Sequence, residues 1–209
     1  MDRGMRRIAA GLALALSLSA CAKGGALDYT SPPEKRWRMI TTEQDRDRLR
    51  NWRKAWVEAL PRARAADAGA IAAGGVLFEP DQAMANAMPP AGDYKCRTFK
   101  LGAKRQGLRE FTALPWFNCR VGRAGDIPAL VQLDGAQRPK GRLYADTEAR
   151  AIFLGSLELG DENVPLEYGL DAQRDMAGYV ERIGINRWRL VLPWPSFESQ
   201  LDVVEIVPA

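Results

Sequence analysis

The sequence predicts a mainly β fold with an N-terminal helical appendage: about eight antiparallel strands closed into a small up-and-down barrel, with a β-sandwich as the alternative. Three observations carry this. From Pro89-Pro90-Ala91-Gly92 to the C-terminus, segments of about eight residues alternate apolar and polar positions and are parted by turn residues. Nothing between them is long and periodic enough to be the crossover helix that a parallel sheet needs. Short antiparallel strands also expose unpaired edges, and closing the sheet on itself removes them.

Before the strands, the chain reads in three parts. Residues 1–20 form a signal peptide: Arg3, Arg6 and Arg7 precede an uncharged apolar run from Ile8 to Ala20. That run is shorter than the roughly 20 residues a bilayer span requires. Leu18-Ser19-Ala20-Cys21 then resembles the bacterial lipobox, in which cleavage leaves a lipidated cysteine as the first residue. Cys21 is therefore expected to carry a lipid. Ala22 follows it rather than an acidic residue, which by resemblance to known lipoprotein sorting points to the outer membrane, periplasmic face. Residues 21–40 contain Gly-Gly and Ser-Pro-Pro without periodicity and read as a flexible tether.

Residues 41–88 form the helical segment. Thr41 stands three residues before Gln44, a capping-box spacing. Leu49, Trp52, Trp56 and Leu60 recur at three and four residues and make one apolar stripe over residues 43–60. Acids fill the first turns and Arg53 and Lys54 come later, the order the helix dipole favours. Pro61 is expected to end or kink this helix, and a second helix from about Arg62 to Ala73 stops at Gly74-Gly75. The tryptophan stripe suits packing on the domain better than lying on a membrane surface, because acids are mixed into the polar face.

Residues 89–209 form the barrel domain, with strands expected at 93–101, 111–121, 127–133, 140–146, 151–159, 176–183, 187–194 and 201–207. In the seventh, Trp188, Leu190, Leu192 and Trp194 point one way and Arg187 and Arg189 the other. Asp134-Gly135 and Gly184-Ile185-Asn186 are hairpin connectors. Cys96 and Cys119 sit in the first two strands. With Cys21 lipidated they are the only possible pair, and no C-x-x-C marks them as redox-active, so a structural disulfide is expected.

Composition then limits the chemistry. The full chain has a formal charge of +4, of which residues 1–20 carry +2, so +2 is left for residues 21–209. Such a small charge, with bases interleaved among acids as in EQDRDRLR, gives no nucleic-acid footprint. The chain has no histidine, which removes Ser-His-Asp and Cys-His activation and the commonest metal ligand. No phosphate-binding or dinucleotide fingerprint appears, so no cofactor, metal or catalytic residue is expected. Carboxylates remain. Asp161, Glu162, Glu167, Asp171 and Asp175 gather between the fifth and sixth strands, where a solvated acidic loop is the plain reading and a glycosidase-like pair or weak calcium site the sharper one. Arg187 and Arg189 offer an anion-binding rim or simply the wet face of a strand paired with Glu181.

The stretches LREFTALPWFNCRV, KGRLYADTEARAIFLGSLELGDENVPLEYG and GYVERIGINRWRLVLPWPSFESQLDVVEIVP resemble a family of proteobacterial lipoproteins catalogued only as a domain of unknown function. The resemblance covers most of residues 40–209 and implies location and fold without an activity. A second resemblance is to small calycin-type barrels. Gly92-Asp93-Tyr94 stands where lipocalins carry a G-x-W at the mouth of strand one, and a disulfide near the start is similar to the periplasmic metalloprotease inhibitors, which are eight-stranded barrels. Those inhibitors insert an extended N-terminal arm into the protease, and two helices and a tether stand in that place here, so the mechanism does not transfer. The expected function is a lipid-anchored envelope protein with a non-enzymatic binding or assembly role toward a protein or small ligand. Asp161, Glu162, Asp175, Arg187 and Arg189 are its candidate interaction residues, and a carboxylate-dependent envelope hydrolase is the alternative.

Overall fold

The computed structural model describes Met1 and residues 36–160, 162 and 166–209. Cys21 and Asp161 lie outside the described residues. Eight strands form a closed antiparallel up-and-down barrel in sequence order, β1 (Gly92–Ala103), β2 (Phe111–Ala124), β3 (Ile127–Gln132), β4 (Gln137–Ala145), β5 (Ala151–Leu159), β6 (Asp175–Gly184), β7 (Arg187–Pro193) and β8 (Ser199–Pro208). Closure comes from β1 pairing with β8, from Tyr94 opposite Pro208 to Ala103 opposite Ser199. The barrel, not the sandwich, is the observed architecture.

Alternation decides what fills it. Tyr94, Cys96, Cys119, Val121, Leu130, Leu143, Phe153, Val180, Trp188, Leu190, Leu192, Val204 and Ile206 form one buried cluster drawn from all eight strands, which is the barrel interior. At the end where β1 begins, Ala87 and Met88 pack against the same cluster. Tyr94 donates to the Pro90 carbonyl and meets the Trp188 ring edge-on at 6.0 Å. That end is plugged by the chain leading into the barrel. Cys96 and Cys119 are joined as a disulfide inside the plugged half, across adjacent strands in which Tyr94 faces Cys119 and Cys96 faces Phe117. Closing this loop contributes about 3 kcal/mol in the chain-entropy model.

Among the described residues four helices precede the barrel: α1 (Trp37–Ile40), α2 (Glu43–Arg50), α3 (Trp52–Ala66) and α4 (Ala68–Gly74), then a 3-10 turn at Gly75–Phe78. The expected single helix over 43–60 is broken at Asn51, whose φ of −95° and ψ of 16° leave the helical region. Pro61, in contrast, lies inside α3 without ending it. Its ring sits on the exposed face, as does Val57, whose carbonyl loses its helical donor and can turn to water instead. The N-cap is Thr42 rather than Thr41, with its hydroxyl accepting from the Asp45 N–H at 3.2 Å. The tryptophan stripe packs as expected. Trp56 is 1 % exposed among Ala55, Ala59, Phe99, Leu101, Val191 and Leu201, and Trp52 is half-buried against the same group. The helices thus cover the outward faces of β1, β7 and β8, while Leu49 of α2 covers Ile152, Leu154 and Ala177 on β5 and β6.

Candidate functional site

The end opposite the plug is built differently. Continuing the inward alternation past Cys96 gives Thr98 and Lys100, and continuing it back from Val204 gives Asp202. The upper barrel is therefore polar. Lys100 lies 3.5 Å from the Asp202 carboxylate and 3.1 Å from that of Glu198, and Ser199 donates to Asp202. Burial alone would push the Lys100 ammonium down, but the two carboxylates more than offset it and hold its pKa up. Burial raises Asp202 despite Lys100. Gln137, Pro139, Leu157, Asp175, Met176 and Leu192 complete a small chamber here. Its free volume is about 40 Å³, room for roughly three waters at ~10–15 Å³ each. The barrel is not a hollow cup.

Above the chamber, α2, the start of α3 and three loops form a wider cleft of about 810 Å³. Chamber and cleft share Arg48, Gln173, Ser196 and Phe197, so these four side chains are the floor of one and the roof of the other. Arg48 is fixed from three sides: it donates to Asp45 at 2.7 Å, to the Asp175 carbonyl at 2.8 Å and to the Ser196 hydroxyl at 2.8 Å. Asp45 in turn accepts from Tyr168 at 2.7 Å. Burial and this bond to Asp45 both raise the Tyr168 pKa.

The cleft walls carry Arg48, Lys54, Lys104 and Arg105 against a single acid, Asp47. Asp47 is itself paired with Arg50. Lys104 donates to the Pro195 carbonyl, and its ammonium is pulled below the ordinary lysine value by burial and then by the neighbouring Arg48 charge. Trp194 and Phe197 supply flat apolar surface. Trp194 is a correction to the sequence reading. It does not continue β7 inward: the strand ends at Pro193, Trp194 takes φ of +53°, and its ring packs outside the barrel against the α3 cluster, with Nε1 donating to the Asn51 carbonyl at 3.2 Å. A non-glycine residue held there is strained, and strain of this kind is retained where the surroundings fix a loop in place. Here it turns the 194–198 segment over the barrel mouth.

The expected interaction residues do not gather into one site. Glu162 is bound by Arg174 at 2.6 Å and by the Leu159 N–H at 2.9 Å, which hold its carboxyl below the ordinary range. Asp175 is 4 % exposed, not solvated: it opens β6, accepts from the Gly169 N–H at 2.9 Å and is raised by burial. The loop is an ion-pair clasp as much as an acidic surface. Arg187 reaches Glu205 at 2.7 Å on β8. Arg189 does face Glu181 across the β6–β7 ladder, but it is fully buried and so is neither rim nor wet face. Among the described residues no group of three or more metal-type ligands occurs.

Residues 37–206 match the family model of a domain of unknown function, DUF4893. The chain belongs to this family. No curated protein and no solved structure matches it. Within the DUF4893 domain, the residues that sequence reasoning missed are Lys100, Asp202, Arg48 and Lys104. Lys100 and Asp202 carried a signal: each stands in phase with the apolar inward positions of its own strand, where a charge needs a partner. Arg48 and Lys104 carried none, because their meeting depends on where α2 docks.

Proposed function

We propose that this protein is a lipid-anchored envelope lipoprotein of the outer membrane whose barrel mouth binds a small anionic ligand, without catalysis. The observation that carries the binding reading is the cleft: among the described residues Lys104 and Arg105 stand there without an acid partner, while Arg48 is held by Asp45, Lys54 by Glu58 and Asp47 by Arg50, beside two aromatic faces and over a chamber too small to admit more than water. A ligand bearing a carboxylate or phosphate and a flat apolar part would place its charge at Lys104 and Arg105 and its body on Trp194 and Phe197. The anchor reading rests on the lipobox at Cys21, and the barrel resembles the calycin type in strand count and closure. The hydrolase is the second reading, favoured by two carboxyls, Asp175 and Asp202, that line one chamber and are raised by burial. Asp202 is already engaged by Lys100 and Ser199, and the space between leaves no room for a substrate bond, so the binding reading is the better supported.

Two measurements test this. Cys21→Ala in the producing cell is expected to abolish incorporation of labelled fatty acid into the protein, and unchanged labelling would remove the anchor. For the cleft, the indole N–H resonance of Trp194, assigned by Trp194→Phe, is expected to move on titration with inorganic phosphate or citrate and not with glucose. Lys104→Gln with Arg105→Gln should weaken the effect roughly tenfold, as loss of charge-assisted contacts would. An anion beside Lys104 raises its depressed pKa, so binding at alkaline pH should take up protons, and Lys104→Gln should abolish that uptake. No shift with either anion would overturn the cleft as an anion site.

A further inference from the structure

The helices leave one face of the barrel bare, and its charge is one-sided. With Cys96, Cys119 and Leu143 pointing inward, alternation turns Lys95, Arg97, Arg120, Arg138, Lys140 and Arg142 outward on β1, β2 and β4. The acids among these outward positions and their neighbours on β5 are Asp93, paired with Arg120 at 2.6 Å, and Glu158, paired with Arg138 at 2.5 Å. With exposed Asp134, held on this face by Asn118, six cations stand against three acids, and this +3 exceeds the whole +2 of residues 21–209, which leaves −1 for the remainder of that chain. Trp116 stands on the same face, 46 % exposed, with the Arg97 guanidinium 5.9 Å from its ring. Lys95, Arg120, Lys140 and Arg142 are exposed and Arg97 and Arg138 half-buried, in contrast to Arg189 on the covered side, which is fully buried.

We propose that this β2–β4 face docks on the anionic headgroup surface of a bilayer. Three features select a membrane. The charges spread over neighbouring strands as a flat sheet face rather than a pocket, which suits a planar anionic surface. A partly exposed tryptophan among cations is the residue pair that interfacial binding uses. The described chain also begins beside this face: Arg38 is bonded at 3.1 Å to Asp146, the residue after β4. A chain held at Cys21 would thus enter the fold next to it. The proposal relocates membrane contact from the α3 tryptophans, of which Trp56 is buried, to the opposite side of the barrel. It does not depend on the anion cleft.

The test uses the full chain carrying Cys21→Ala, partitioned into phosphatidylcholine vesicles with and without phosphatidylglycerol. Partition into phosphatidylcholine alone reports the apolar N-terminus. The expected result is a further, salt-sensitive increment when phosphatidylglycerol is present. Arg120→Glu, Lys140→Glu and Arg142→Glu together should cut that increment by roughly tenfold or more, given the contribution of each cation near an anionic surface. Arg50→Glu, Arg53→Glu and Arg64→Glu on the helical side, the same change in net charge, should leave it within about twofold. Circular dichroism on each variant confirms that it is folded, and the milder set Arg120→Gln, Lys140→Gln and Arg142→Gln, with a smaller loss, replaces any that is not. An absent increment, or an equal loss from both triple variants, would overturn the proposal; the first would leave an acidic protein surface as the complement of this face.

Discussion

Replacing Arg189 by methionine is expected to lower the melting temperature by roughly 6–20 °C, at ~2–4 °C per kcal/mol for a domain of this size. The reason is what the guanidinium holds together. Nε donates to Glu181 at 2.8 Å, and the terminal nitrogens donate to the carbonyls of Leu77 at 2.9 Å, Glu79 at 2.8 Å, Pro80 at 3.0 Å and Val76 at 3.2 Å. One side chain on β7 therefore ties the 3-10 turn and the two residues after it to the outside of the barrel. Both it and Glu181 are buried, at 0 % and 1 % exposure, and Glu181 also accepts from Arg150 at 2.7 Å. Burial lowers the Arg189 pKa and Glu181 opposes it, so the charge is kept by its partner. Removing one member of a buried pair costs about 3–5 kcal/mol, and here Glu181 keeps only Arg150 while the four carbonyls lose their donor. That is a large share of the ~5–15 kcal/mol that holds a typical domain. The double variant Arg189→Met with Glu181→Met should recover part of the loss, since apolar replacement of a whole pair can be neutral. A single variant melting within about 2 °C of the parent would show that the clasp contributes little.

The strands were legible because their signal is local. Alternation over eight segments places β5 at the expected residues and the others within about three of them, and the missing crossover helices leave antiparallel closure as the simplest topology. The errors share one cause. Alternation separates two faces of a strand but does not say which is wet, since that depends on what packs there. Sequence alone puts Arg187 and Arg189 on an anion-binding rim or a wet strand face, because arginines usually lie there; α3 and the 3-10 turn cover that face. Sequence alone puts Asp175 in a solvated loop, and α2 encloses it through Arg48. Trp194 fitted the period of β7 yet turns out of it, because Pro193 ends the strand and Pro195 follows. The same non-local packing hides the candidate site, whose walls come from residues as far apart as Arg48, Lys104 and Phe197.

The largest effect of a single added methyl group is expected at Gly155. It faces Gly141 across the β4–β5 ladder, and the two backbones approach so closely that neither position has room for a side chain. A Cβ built on Gly155 lies 2.2 Å from the Lys140 carbonyl oxygen and 2.6 Å from the Gly141 Cα; one built on Gly141 lies 2.6 Å from the Leu154 oxygen. These obstacles are backbone, not the ends of flexible side chains, so relief requires the strands to part. The neighbouring β3–β4 ladder offers little reserve, with three aligned pairs from Ala129 opposite Arg142 to Val131 opposite Lys140. Glycine in a strand interior otherwise weakens it, and a facing pair is retained where a barrel must bend sharply. Gly155→Ala should therefore cost about 3 kcal/mol, the upper end of ordinary overpacking, and loosen amide protection first along β4. Gly122→Ala on β2 is the matched control: no atom lies within 4 Å of its added Cβ, so it should be neutral or stabilise by up to about 1 kcal/mol through the unfolded chain. Equal melting temperatures for the two variants would mean that β4 and β5 can separate at no cost, and that the glycine pair does not set the curvature of the barrel.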